Sequence, residues 1–138
     1  MAKILLVSDA RTVLDDLAAV VDDGDNEVVE LRDGANVRAA LQDDDFHLVI
    51  ADSQVQNMGG FAICLDIKLE ESGGRLDHVP VLILLDRRAD VFLAKRATAE
   101  GWLVKPLDPT RIRAAVEALL DGETFHDESF RPVTVARH

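Results

Sequence analysis

A few polar residues stand directly behind short apolar runs, and their types suit one kind of chemistry. Ser8 and Asp9 follow Lys3 to Val7, Asp52 follows Leu48 to Ala51, Asp86 follows a run ending at Leu85, and Lys105 with Pro106 follows Trp102 to Val104. Carboxylates gathered in one crevice can hold Mg²⁺, a hard cation that takes oxygen ligands and keeps several waters for a phosphate-bearing partner. A lysine beside them can neutralise a phosphoryl oxygen. With little covalent chemistry to perform, such a site works by positioning and charge. Each residue also has an ordinary reading, because Asp at a strand end is commonly a turn residue or helix cap and a lone lysine is commonly a solvated surface charge. Only joint placement at one edge gives the chemical reading weight.

That placement rests on the elements between these residues. The run Lys3 to Val7 is followed by Leu14, Leu17 and Val21 at helix spacing. The alternation continues through Val28 to Leu31, Val37 to Leu41, Leu48 to Ala51, Phe61 to Leu69 and Val79 to Leu85. A helix over Val91 to Ala99, a strand over Trp102 to Val104 and a last helix complete five strands and five helices. The last helix is the best marked: Asp108 can cap it, Pro109 suits its first turn, and Ile112, Ala115, Val116 and Leu119 share one face. The runs Leu48 to Ala51 and Val79 to Leu85 do not alternate with polar residues, as expected when helices cover both faces of a parallel sheet. Such sheets bind ligands outside the carboxyl ends of their strands, which is where the polar residues fall.

With 138 residues and 48% apolar content, the chain can bury one core and is too short for two domains. No apolar stretch is longer than Val81 to Leu85, far below the roughly 20 residues of a membrane helix, and Ile4 to Val7 is interrupted by Ser8 and Asp9 before it could form a signal-peptide core. A cytoplasmic protein without membrane contact is expected. Fifteen basic against 26 acidic residues give a net charge of −11, which repels nucleic-acid phosphates. Arg131, Arg137 and His138 make only the C-terminus locally basic, so no direct DNA binding is expected. Cys64, the only cysteine, lies in an apolar helical pattern and reads as a buried, inert thiol.

The segments KILLVSDA, LVIADSQVQNMGGF, VPVLILL and GWLVKPLDP, in this order and at spacings that fit five strands, resemble the receiver domains of two-component response regulators. The resemblance covers roughly residues 3 to 120. It implies a flavodoxin-like (βα)5 fold, a doubly wound parallel five-stranded sheet of order 2-1-3-4-5, with residues 1–120 as receiver and 121–138 as an extended tail without an effector domain. It further implies that Asp52 is the phosphoacceptor, taking a phosphoryl group from a phosphohistidine of a sensor histidine kinase or phosphotransfer protein. By the same resemblance Asp9, Asp52 and the backbone carbonyl of Gln54 ligate Mg²⁺, Lys105 contacts the phosphoryl oxygens, Trp102 is the switch aromatic, and the Lys105–Pro106 bond is cis. The output is then a contact with a downstream protein target, and the chain is not a metabolic enzyme.

Several positions depart from the family pattern. Ser8 replaces one of two acidic residues, leaving a weaker or water-mediated metal ligand. Leu85 stands where a Thr or Ser hydroxyl would bind the phosphoryl group. Asp86 replaces a small residue, and its charge opposes a phosphoryl group if it faces the pocket. Gln56 and Gly59 replace a Pro and an Asp and are expected to loosen the loop after Asp52, and the segment from Asp86 to Gly101 is about two residues short, predicting a short or irregular fourth helix. Two readings follow: a phosphorylatable single-domain regulator, or a phosphorylation-independent pseudo-receiver that acts as a protein-binding module. A metal-dependent phosphatase on a related sheet is disfavoured, since no second acidic motif or base is present to activate water. In the Phe61 to Leu69 helix, Ile63, Cys64 and Ile67 form one apolar stripe and Phe61, Leu65 and Leu69 another. The second is expected to be covered by a partner subunit in a homodimer or by the tail through Phe125 and Phe130.

Overall fold

A computed structural model describes residues 2–128. Five strands, β1 (Lys3–Val7), β2 (Glu27–Leu31), β3 (Leu48–Asp52), β4 (Val81–Leu85) and β5 (Gly101–Val104), alternate with helices α1 (Arg11–Val21), α2 (Val37–Asp43), α3 (Gly60–Ser72), α4 (Val91–Arg96) and α5 (Pro109–Leu120). The sheet has the expected order 2-1-3-4-5, all pairs parallel, and gains a sixth strand, β6 (Phe125–His126), beside β5. The expectation that everything beyond residue 120 is plain extended tail is therefore corrected at these two residues. Phe130 lies outside the described residues.

Alternate residues of each strand divide between two cores. Leu5, Val7, Val49, Ala51, Val81, Ile83, Leu85, Trp102 and Val104 face α2, α3 and α4, whereas Ile4, Leu6, Leu48, Ile50, Leu82, Leu84 and Leu103 face α1 and α5. Burial on both faces explains why β3 and β4 carry no polar alternation. Helix α5 starts as predicted, with the Asp108 side chain accepting from Arg111 N–H and Pro109 in the first turn. β4 begins at Val81, two residues later than expected, because Pro80 has no N–H to contribute to a ladder.

Helix α4 is indeed short. A 3-10 turn at Arg88–Asp90 leads into six helical residues, and Thr98, at φ 58, ends the segment in the left-handed region. Cys64 is fully buried, its Sγ 3.3 Å from the Ala97 carbonyl, and burial pushes its pKa up to about 12, as an inert thiol requires. The second stripe of α3 is only partly covered: Phe61 packs against the core, while Leu65 and Leu69 are exposed. Phe125 does not cover it, because its ring packs in the opposite core with α1 and α5. Its alternation with His126 along β6 sends the two side chains to opposite faces of the sheet.

Candidate functional site

The carboxyl ends of β1, β3, β4 and β5 bring Ser8, Asp52, Asp86 and Lys105 into one pocket. Asp52 closes β3, is 2% exposed, and has both oxygens engaged. Its Oδ2 accepts from Ser8 Oγ at 3.0 Å; its Oδ1 accepts from Lys105 Nζ at 2.8 Å and, at 3.4 Å, from Gln54 N–H. A buried carboxylate needs such partners, since desolvation without them is prohibitive. Ser8, itself fully buried, accepts from Ala10 N–H at 3.1 Å, which fixes its hydroxyl rotor so that the proton is directed at Asp52.

Lys105 joins the acidic groups. Its ammonium lies 2.8 Å from Asp52 Oδ1 and 2.8 Å from Asp86 Oδ1. Burial lowers the lysine pKa, but the hydrogen bonds to Asp52 and Asp86 and their charges outweigh it, so the group titrates above its ordinary value and is an ammonium at neutral pH. Asp86 thus faces the pocket, the orientation in which it opposes a phosphoryl group. Its Oδ2 also takes a long 3.5 Å hydrogen bond from Ser53 Oγ. The Lys105–Pro106 peptide is cis.

Asp9 stands apart from this cluster. Its Oδ2 accepts from Gln56 N–H at 2.8 Å, so the carboxylate ties the β3–α3 loop to the end of β1. That loop is held tightly, correcting the expectation that Gln56 and Gly59 loosen it. Gly34 N–H donates to the Gln56 carbonyl at 3.1 Å, Asp33 and Gln56 form an isolated parallel bridge, and Asn57 Nδ2 donates to Asp33 Oδ2 at 2.7 Å. A Cβ on Gly34 would lie 1.8 Å from the Met58 carbonyl oxygen, and one on Gly59 2.4 Å from that of Ser53, so both glycines serve close backbone approach. Sequence reasoning missed these pins because Asp9, Asp33 and Gly34 come from the β1–α1 and β2–α2 connections, far away along the chain.

The donor chemistry fits a small hard cation: two aspartates and the main-chain carbonyl two residues past Asp52, with water completing the shell. Asp9 Oδ1 has no hydrogen bond among the described residues. The site is nonetheless lean, for no group of three acidic, His or Cys side chains clusters as a metal site among the described residues.

Leu85 is fully buried in the core beside Ala94 and Trp102 and brings no polar atom to the pocket. Trp102 is 3% exposed and its ring lies inward, stacked on His126 with centroids 4.2 Å apart.

The family model for the response regulator receiver domain matches residues 4–117. The chain belongs to that family. CheY-3, a chemotaxis protein of Vibrio cholerae, is 27% identical over 122 residues, covering 86% of this chain and 92% of its own length. Protein PilH of Pseudomonas aeruginosa is 25% identical over 124 residues, covering 88% of this chain and 100% of its own. Among solved structures, the chemotaxis response regulator CheY4 of Vibrio cholerae superposes with a TM-score of 0.75 at 26% identity, covering 86% of this chain and 98% of that one. Receiver domains generally bind Mg²⁺ at their acidic pocket and serve signalling rather than metabolism. No helix among the described residues is long and apolar enough to cross a membrane.

Proposed function

We infer that this receiver accepts a phosphoryl group on Asp52 from a phosphohistidine of a sensor histidine kinase or phosphotransfer protein and signals through contacts with another protein. The observation that carries the reading is the Asp52 carboxylate, buried at the end of β3 with Lys105 and Ser8 as its hydrogen-bond donors. In the transfer, an Asp52 oxygen forms a bond to phosphorus as the phosphorus–nitrogen bond to the donor histidine breaks, and the electron pair leaves with the imidazole. Ser8 holds one carboxylate oxygen in place while the other attacks. The Lys105 ammonium, already at the pocket, moves from the carboxylate to a phosphoryl oxygen and neutralises it. Asp9, Asp52 and the Gln54 carbonyl are the residues that would hold Mg²⁺, with Ser8 contributing through water, and the bound ion would supply positive charge against the phosphoryl oxygens.

A second reading, a phosphorylation-independent binding module, draws on Asp86 and Leu85. Lys105 is already engaged by two carboxylates, and the buried leucine offers no hydroxyl to a phosphoryl group. Intact mass after incubation with Mg²⁺ and acetyl phosphate separates the two. A single phosphoryl adduct, absent in Asp52→Asn, supports the regulator. No adduct, even from a phosphorylated kinase, leaves the binding module.

A further inference from the structure

Lys105 is held at its ammonium by Asp52 and Asp86, and it is held a second time through the backbone on either side of it. Its own N–H donates to the Leu85 carbonyl at 2.9 Å, where the end of β5 lies beside the end of β4. The Val104 carbonyl accepts from Arg111 Nη1 at 3.1 Å, and the Pro106 carbonyl accepts from Arg111 Nη2. The Val104 N–H donates to Asp127 Oδ2 at 2.8 Å, and the same oxygen accepts from Arg111 Nη1. Arg111 Nε donates to Asp108 Oδ2 at 2.6 Å, which anchors the guanidinium to the start of α5.

One guanidinium thus spans the carbonyls before and after Lys105, and one carboxylate ties that guanidinium to the Val104 amide. The planar fork permits this, because its donors diverge in fixed directions and can meet two carbonyls and two carboxylates at once, whereas an ammonium is a compact point charge. Asp127 is buried and Arg111 half-buried, so the carboxylate depends on its cation and solvent does little to loosen the pair. The hold has a consequence at the pocket. A lysine stem is flexible, so the reach of its ammonium is set by where its Cα is fixed. Asp52 and Asp86 both take that ammonium at 2.8 Å, and such bonds extend to only about 3.2 Å. A backbone shift of about 1 Å is therefore enough to spoil the register, and a misplacement of that size can cost up to roughly a hundredfold in rate.

We propose that Arg111 and Asp127 are positioning residues for phosphoryl transfer: they clamp the Val104–Pro106 backbone so that the Lys105 ammonium stays in register with Asp52 while it passes from the carboxylate to the phosphoryl group. The role rests on the phosphoacceptor reading of Asp52. Asp127 lies outside residues 4–117, the span of the family match, so the clamp gives the segment after α5 a share in the pocket, exerted through Lys105.

The test uses the full chain. Arg111→Lys keeps the charge but loses the fork, and Asp127→Asn keeps an acceptor for the Val104 N–H but loses the charge facing Arg111. Ala115→Gly weakens the same helix without touching the loop and controls for plain destabilisation. Intact mass follows the rate at which acetyl phosphate with Mg²⁺ phosphorylates Asp52. Separately, peptide mass follows labelling of Lys105 by trace acetic anhydride relative to the exposed Lys95 of the same chain. In Arg111→Lys, phosphorylation slows by about tenfold and Lys105 labels about fivefold faster against Lys95, while Ala115→Gly moves each by less than about twofold. Asp127→Asn shifts both in the direction of Arg111→Lys. Lys105 labelling unchanged in Arg111→Lys overturns the clamp, and so does an equal rise in Ala115→Gly. Faster labelling with unchanged phosphorylation overturns the positioning role. Should Arg111→Lys fail to fold by circular dichroism, Asp127→Asn decides by the same criteria. Absence of any adduct on the wild type overturns the phosphoacceptor reading and the positioning role with it, and the labelling then still upholds or overturns the clamp itself.

Discussion

Asp86→Ala is expected to raise the fraction of chain phosphorylated on Asp52 at a given acetyl phosphate concentration. Asp52 and Asp86 each touch the same Lys105 nitrogen at 2.8 Å, which sets their oxygens within about 5–6 Å of each other. A phosphoryl group on Asp52 brings further negative charge to that neighbourhood, and a unit charge about 5 Å away opposes it by roughly 3 kcal/mol at an effective dielectric near 20. The Asp86 side chain is 40% exposed, so solvent screening reduces the repulsion to about 1 kcal/mol, a factor of roughly five. Removing Asp86 also leaves the lysine wholly to the phosphoryl oxygens, with the same sign. Intact mass across an acetyl phosphate series at fixed Mg²⁺ measures the shift, and repeating it at high salt narrows the difference because screening shortens to about 3 Å near 1 M. An equal or smaller fraction in the variant, with both proteins modified, refutes the electrostatic argument. Absence of any adduct in both refutes the acceptor assignment instead.

The same contacts give further expectations. The Lys105 pKa is raised on folding, so the stability its ammonium contributes is fully present below the unfolded value near 10.4 and is lost as pH rises through the higher folded value. Urea unfolding of wild type and Lys105→Met then shows a gap of about 2–4 kcal/mol at pH 7 that shrinks above about pH 10.5, since the variant leaves buried Asp52 without its cation. Cys64, with its pKa pushed up to about 12 by burial, reacts with a disulfide reagent at pH 8 only after unfolding in guanidinium; prompt reaction in the native state contradicts the packing. Gly34→Ala forces a methyl against the Met58 carbonyl and is expected to lower stability by about 2–3 kcal/mol, with slower phosphorylation of Asp52 as the loop shifts; thermal unfolding and the mass assay read both.

The five-stranded core was legible because its signals are local. Unalternated apolar runs at β3 and β4 require cover on both faces, and the strand ends then fix where Ser8, Asp52 and Lys105 meet. The direction of Asp86 was not legible, since a residue after a strand can turn either way and only the shared ammonium settles it. The β3–α3 loop was misread for a related reason. Gln56 and Gly59 suggest freedom when read alone, whereas the groups that hold the loop, Asp9, Asp33 and Gly34, belong to other connections. β6 carries no local signal at all: two residues are too few for a period, and what holds them is a ring stack onto Trp102 and an ion pair to Arg111.

These long-range contacts share an anchor. Val104 N–H is bound by Asp127, and the next residue, Lys105, is bound by Asp52 and Asp86. The pocket and the added strand therefore meet across a single peptide unit at the end of β5. The contacts of Lys105 with Asp52 and of Val104 with Asp127 thus hold the same backbone from opposite sides. Leu85 supplies no hydroxyl to link the pocket to Trp102, and a link that remains runs from Asp52 through the Lys105 ammonium to the Val104–Lys105 peptide and Asp127. Any such coupling is reciprocal: loss of the Asp127 contact to Val104, as in Asp127→Ala, would alter phosphorylation of Asp52 by the same factor that phosphorylation alters the opening of that contact.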